Sequence, residues 1–348
     1  MHMKWLRNLL FGILGLLALL LLVFIYSIRT HVGIGRFQQW EKEETAAAPA
    51  QNSITAQFVG VSTLLFSDGT TNILIDGYFT RPSAIDLIFG KIEPNEEDVK
   101  WGLKRLGVTT LDAILVVHSH FDHAMDAPLV AKLTGAPVYG SSSTANICRG
   151  LDLNENLIKG FENNQPIQLG AFKVTPILSK HYEFANPKVR EKALGGNQEI
   201  TEPLIPPVKP DAYKMGGAYT LYFEHPSGTF LLQSSAGWKA HTLDSVKAEI
   251  VLLGIGGLGA QTGDYQQTYF EQVVDQVQPN EVLLIHWDAL SGSIRKPIQG
   301  EVLLIDKLMG KTIQSFEAVE REMTKRPEIT TYILPQWEKR VLFRPADY

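Results

Sequence analysis

The run Ala113-Ile114-Leu115-Val116-Val117, followed without a break by His118-Ser119-His120-Phe121-Asp122-His123, decides how the rest of this chain is read. Five apolar residues in a row are apolar on both alternating faces, which describes a strand covered on both sides and requires helices packed over a sheet. In extended geometry residues i and i+2 point the same way. His118 and His120 therefore converge as the chain leaves the strand, while Asp122 and His123 lie on the turn beyond. Imidazole and carboxylate suit zinc or another borderline divalent cation. The carboxyl end of a buried strand is also where open α/β sheets place their ligands.

Two other histidines stand in equivalent places. His181 closes the run Phe172-Lys-Val-Thr-Pro-Ile-Leu-Ser-Lys180, and His286 follows Glu281-Val-Leu-Leu-Ile285. Each is delivered to the same sheet edge if its strand runs the same way, so both are candidate ligands. The single cysteine, Cys148, excludes an intramolecular disulfide and any multi-cysteine zinc cage, leaving His and carboxylate as the donor set.

Around this centre, AQFVGVSTLLF, SDGTT and NILIDGYF read as a hairpin. Asn95–Leu106, Asp126–Thr134 and Ser142–Arg149 read as helices, as do Gln266–Val277 and Val302–Met309. Strands are expected at Pro137–Tyr139, FKVTPIL, AYTLYFE, TFLLQS, EIVLLG and EVLLIH. The interval 183–214 holds five prolines and little periodicity; a loop this long in a compact domain is usually functional. GIGGLG at 254–259 imitates a phosphate-binding loop, but its spacing is off and no helix opens on it.

The run HSHFDHAMD resembles the signature of the metallo-β-lactamase-fold hydrolases, and the similarity in order and spacing extends from about Gln57 to beyond His286. The resemblance implies an α/β fold, an αββα sandwich of two mixed sheets with outer helices. It implies a first metal held by His118, His120 and His181 and a second by Asp122, His123 and His286. It also implies that Asp76 steadies the ligand loop from behind, as metal-bound histidines need an acceptor on the far ring nitrogen. Asp126 and Asp288 are weaker candidates for that role, and Tyr182 and Trp287 flank ligands. One departure matters: such enzymes usually present a bridging aspartate after a strand, and the corresponding turn here has Ser234-Ser235. A neutral hydroxyl cannot replace a carboxylate as a charged bridge. The expectation is therefore one tightly held zinc, or two with a weaker second. Ser235 either bonds the attacking water or caps a turn, and His241 either lends a ligand or lies at the surface.

Upstream, NLLFGILGLLALLLLVFIYSI is 21 residues without a charge, and a helix of that length spans roughly 30 Å, the thickness of the hydrocarbon layer. No cleavage site follows it, so it reads as an uncleaved anchor, with Lys4 and Arg7 favouring an inside amino terminus and an exported domain. The domain reading is a flank at 1–8, an anchor at 9–28, a linker at 29–54 (its stretch 37–53 a tether) and a metallo-β-lactamase-like domain at 55–348. Net charge is −5, with no basic stripe, which disfavours a nucleic-acid partner. The functional expectation is a membrane-tethered, metal-dependent hydrolase acting on an ester, phosphodiester, lactone or amide, with a small-molecule or lipid substrate. Asp122 and Ser235 are its candidate catalytic groups. The alternatives are a non-catalytic metal-binding scaffold and a di-iron redox protein; the oligomeric state is not legible.

Overall fold

The computed structural model describes residues 2–41, 53–184, 187–194 and 198–344. Two seven-stranded sheets face one another. The first contains β1 (Ile54–Gly60), β2 (Thr63–Ser67), β3 (Asn72–Ile75), β4 (Ala113–Leu115), β5 (Val138–Gly140) and β6 (Ile158–Gly160), closed at the far edge by β14 (Lys339–Phe343) in the order β14-β1-β2-β3-β4-β5-β6. The second has the order β13-β12-β11-β10-β9-β8-β7, with β7 (Ile167–Leu169), β8 (Phe172–Leu178), β9 (Tyr219–His225), β10 (Gly228–Gln233), β11 (Ile250–Gly254), β12 (Glu281–Ile285) and β13 (Thr330–Ile333). Both sheets are mixed: β3 to β6 and β10 to β13 run parallel, and the remaining pairs are antiparallel.

Alternation along the strands builds three apolar layers. Ala113, Leu115 and Val117 face inward with Phe66, Phe223, Phe230, Leu283 and Ile285, forming the core between the sheets. Ile114 and Val116 face the opposite way and meet helix α3 (Glu96–Leu106) and the helices Ala127–Thr134 and Ser142–Gly150 through Val99, Leu103, Val130 and Ile147. Val282 and Leu284 likewise turn outward onto Tyr269, Phe270, Phe316 and Val319, from the helices Gly263–Phe270 and Thr312–Met323. Strands covered on both faces are what the unbroken apolar runs required. Each fully buried leucine or phenylalanine contributes about 1.5–3 kcal/mol of transfer free energy.

Helix ends follow local rules. The Asn95 side chain caps α3 by accepting from Asp98 N at 3.0 Å, and Gly107 ends the helix at φ 75°. The expected helix from Gln266 begins three residues earlier, at Gly263, where the Thr262 hydroxyl accepts from Tyr265 N. It runs on as a π-helical turn at Glu271–Asp275, a late-helix break that has a counterpart at Asp306–Gly310.

The N-terminal apolar segment is a single helix, α1 (His2–Arg29), longer at its start than the expected 9–28; an 18-residue window within 4–29 has mean hydropathy 2.9 and no buried residue. The tether reading fails for its first part. Gly35–Trp40 forms a 3-10 turn docked on the second sheet's helices, with Phe37 fully buried and stacked on Phe316 at 4.9 Å, because the aromatic pair of FQQW has an apolar surface to cover. The rest of that segment, 42–52, lies outside the described residues.

Candidate metal centre

Strand direction assembles the centre. β3 and β4 run parallel in one sheet, and β8, β10 and β12 share one direction in the other. The residues that follow them (Asp76, His118 to His123, His181, Ser235 and His286) are therefore delivered to one rim. His118 and His120 converge as the i, i+2 geometry requires, with ring centroids 4.9 Å apart. Each stands 5.0 and 4.8 Å, respectively, from the ring of His181, so the three imidazoles form a nearly equilateral set. Between them Ser119 points the other way and bonds Ser141 and Thr144, each at 2.9 Å.

The second set is Asp122, His123 and His286, whose donor atoms are as evenly spaced. Asp122 Oδ2 lies 3.4 Å from His123 Nε2 and 3.3 Å from His286 Nε2, and the two nitrogens are 3.3 Å apart. A tetrahedral cation with bonds of about 2.0–2.1 Å needs donors about 3.3–3.4 Å apart along each edge. The triangle fits one face of that tetrahedron. In the first set the buried Nε2 of His118 has no hydrogen-bond partner, a cost that a metal ion would remove. The chemistry and spacing of both sets fit divalent cations.

The far ring nitrogens are braced. His123 Nδ1 donates to Asp76 Oδ2 at 2.8 Å, and the same oxygen accepts from Ser62 Oγ at 2.5 Å. Asp76 Oδ1 accepts from Val117 N at 2.9 Å, tying the carboxylate to the strand that launches the histidine run. His181 Nδ1 donates to Tyr182 O at 2.7 Å. These bonds leave Nε2 of both histidines as the available donor to a metal. His286 sits in left-handed backbone, φ 55°, held by its N–H to Val61 O at 2.6 Å. Its ring needs the glycine run at 254–259: a Cβ on Gly256 would stand 2.6 Å from His286 Nδ1, and one on Gly257 2.5 Å from the Tyr182 ring. That run is clearance, not a phosphate cradle.

Burial and the neighbouring imidazoles push His118 well below its ordinary range, and burial with His120 does the same to His181, so both are neutral. Burial works to raise Asp122, but His123 and His286 beside it hold the carboxyl well below the carboxylate range. Burial works to lower His123, yet Asp122 and Asp76 outweigh it and carry that imidazole up to about 10.

The other candidates have different partners. Asp126 accepts from Phe79 N at 2.9 Å and Thr80 N at 2.6 Å, fixing the loop after β3. Asp288 accepts from Val61 N at 2.7 Å and pairs with Arg81 at 3.4 Å. Ser235 Oγ accepts from Tyr182 N at 3.2 Å, so this hydroxyl holds the turn that carries His181. His241 is exposed beside Asp244, 3.1 Å away. Sequence reading missed Ser62, whose only local signal is its place in the β1–β2 turn, and Gly256, whose glycine run was weighed only as a phosphate loop.

A cavity of about 570 Å³ opens over the centre. His120, Asp122, His181 and His286 form its floor, Tyr182, Phe184 and Trp287 stand in its wall, and Lys209, Asp211 and Tyr213 bring in the far end of the proline-rich segment.

The family model of the metallo-β-lactamase superfamily matches residues 56–206, the stretch that carries Asp76, the histidine run and His181. Over that stretch the chain is similar to the metallo-β-lactamase superfamily. Among its curated relatives, a UPF0173 metal-dependent hydrolase of Heliobacterium modesticaldum is 34% identical over 92 residues, 26% of this chain and 32% of that protein. Another of the same description, from Myxococcus xanthus, is 54% identical over 37 residues, 11% of this chain and 13% of that protein. The chain thus matches about a third or less of the length of these relatives. Among solved structures, a metallo hydrolase from Ignicoccus hospitalis superposes with TM-score 0.50 at 12% identity, over 83% of this chain and 97% of that one. The likeness extends the fold to the rest of the second sheet, beyond the family model's match.

Proposed function

We propose that this metallo-β-lactamase-fold chain is a metal-dependent hydrolase, tethered to a membrane by α1 with its domain exported. The observation that carries the reading is the second triad: three donor atoms 3.3–3.4 Å apart, backed by a buried aspartate. His118, His120 and His181 would hold one divalent cation and Asp122, His123 and His286 another, zinc being the natural choice for this donor set. When bound, such an ion lowers the pKa of water and polarises the carbonyl or phosphoryl oxygen under attack.

The chain's own residues supply the rest. Asp122, ionised and on the cavity floor, orients the attacking water by accepting a hydrogen bond from it wherever a second cation leaves one carboxylate oxygen free. Tyr182, Phe184 and Trp287 exclude bulk water around the scissile bond, which strengthens every charge interaction on the floor. Asp76 and Ser62 fix the His123 ring. Ser235 acts through Tyr182 N as a positioning residue. The bond cut is an ester, phosphodiester, lactone or amide of a small-molecule or lipid substrate.

The test uses the full chain in detergent with paired chromogenic ester, diester, lactone and lactam probes. Turnover of at least one probe should fall by about 10³-fold or more with a chelator, and likewise in His120→Ala. Hydrolysis that survives both would refute the mechanism. A non-catalytic metal-binding scaffold is the second reading, favoured by Ser235 standing where the family usually presents a bridging aspartate; metal uptake without turnover of any probe would support it.

A further inference from the structure

The mouth of the cavity is built unlike its floor. Helix α2 (Ala84–Phe89) and the turn at Asp306–Gly310 contribute Leu87, Ile88, Phe89, Leu308 and Met309 to it. Three large apolar residues here point to solvent: Phe89 is 70% exposed, Ile85 49% and Leu308 48%. Leaving three such side chains in water on adjoining elements costs burial free energy that a soluble rim does not recover.

This rim is fixed against the emerging end of α1. The Phe24 and Phe89 rings stand 6.4 Å apart, and Ile28 packs on the cluster of Ala84, Val302 and Ile305 that also takes in Leu87, Ile88 and Met309. The chain just beyond α1 is pinned to the same element: Leu303 N donates to Thr30 O and Val32 N to Glu301 O, both at 2.9 Å. Phe24 lies five residues before Arg29, so Phe89 stands about 7.5 Å inside the charged end of the span, measured along its axis. Amphipathic elements that lie in a membrane interface bury their apolar side about 5–10 Å deep. The depths agree. Arg29, Lys91 and Lys307, all exposed, flank the apolar residues as interfacial cations do, with Asp86, bonded to Ser83, the exposed acid among them.

We infer that Ile85, Phe89 and Leu308 sit in the interfacial layer of the same bilayer that α1 crosses, so that the cavity opens onto lipid rather than onto water. The inference rests on the anchor reading of α1. An amphiphile could then reach the floor by sliding out of the membrane, its hydrocarbon remaining among Leu87, Phe89 and Leu308.

The experiment places one environment-sensitive fluorophore on Phe89→Cys, Leu308→Cys or Thr109→Cys of the full chain, reconstituted in vesicles of phosphatidylcholine and phosphatidylglycerol. Thr109 precedes β4 and so lies at the end of the sheet remote from the metal rim. The native Cys148 does not compete, being buried with its thiol pushed up to about 12 by that burial. Lipids carrying a nitroxide high on the acyl chain should quench positions 89 and 308 at least ~2-fold and leave 109 unchanged, while aqueous iodide should do the reverse. Carbonate extraction of the unlabelled protein separates the two claims. Extraction would overturn the anchor reading and this inference with it; retention with iodide quenching at 89 and 308 would overturn the inference alone. Protection of both positions from both quenchers, as a contact with a second protein chain gives, would also overturn it.

Discussion

The floor and the mouth of the cavity obey different physics. Around the floor, polar groups converge from the ends of β4, β8 and β12, and several are held by a bond to a buried neighbour, as His123 is by Asp76 and His286 by Val61. At the mouth, ordinary aliphatic and aromatic side chains stand on a six-residue helix and a turn, packed against α1 and the cluster of Ala84, Val302 and Ile305. A floor of this kind buys precision for chemistry and tolerates no substitution. The mouth sets what reaches the floor and is correspondingly forgiving.

That contrast can be broken at several points. The largest effect should come from Asp122→Asn, which keeps the shape but removes the carboxylate charge on which the proposed second cation site depends: kcat/KM on any cleaved probe should drop about 10³-fold. Next comes Glu301, on the cavity wall between the two regions, where burial raises its carboxyl from 4.5 to about 7 although Leu290 N and Val302 N donate to it. Because the folded pKa exceeds the unfolded one, its contribution to stability is full below about 4.5 and is lost as pH rises through about 7. Denaturant melts should therefore find that Glu301→Gln costs most in acid and that this cost shrinks by up to about 3 kcal/mol by pH 8. Asp76→Asn should weaken metal affinity about 10–100-fold, seen in competition with a chromogenic chelator, with little change in the far-ultraviolet circular dichroism. At the mouth, Phe89→Ser should lower turnover of an amphiphile presented in vesicles by only about fivefold, the worth of part of one buried ring.

The same contrast explains what could be read beforehand. Candidate ligands to a cation are rare residue types at fixed offsets from strand ends, so His118, His120, Asp122, His123, His181 and His286 stand out from the background, and the unbroken run Ala113–Val117 already implied cover on both faces. Closure of the first sheet by β14 had no such mark. KRVLF mixes buried and exposed positions, and its pairing with β1 spans most of the chain. The helix Thr312–Met323 carried its signal in the spacing of Ile313, Phe316, Val319 and Met323, yet the expectation stopped at Met309. Ser62 and the exposed rim had no local signature at all. A serine in a hairpin turn, or a phenylalanine closing a short helix, acquires its meaning only from what the fold sets beside it.

Crystals of the chain loaded with zinc, measured with X-rays on either side of the zinc absorption edge, test the centre most directly. The account predicts anomalous density enclosed by His118, His120 and His181, with a second peak, of equal or lower occupancy, among Asp122, His123 and His286. Zinc bound elsewhere with both triads empty would contradict it.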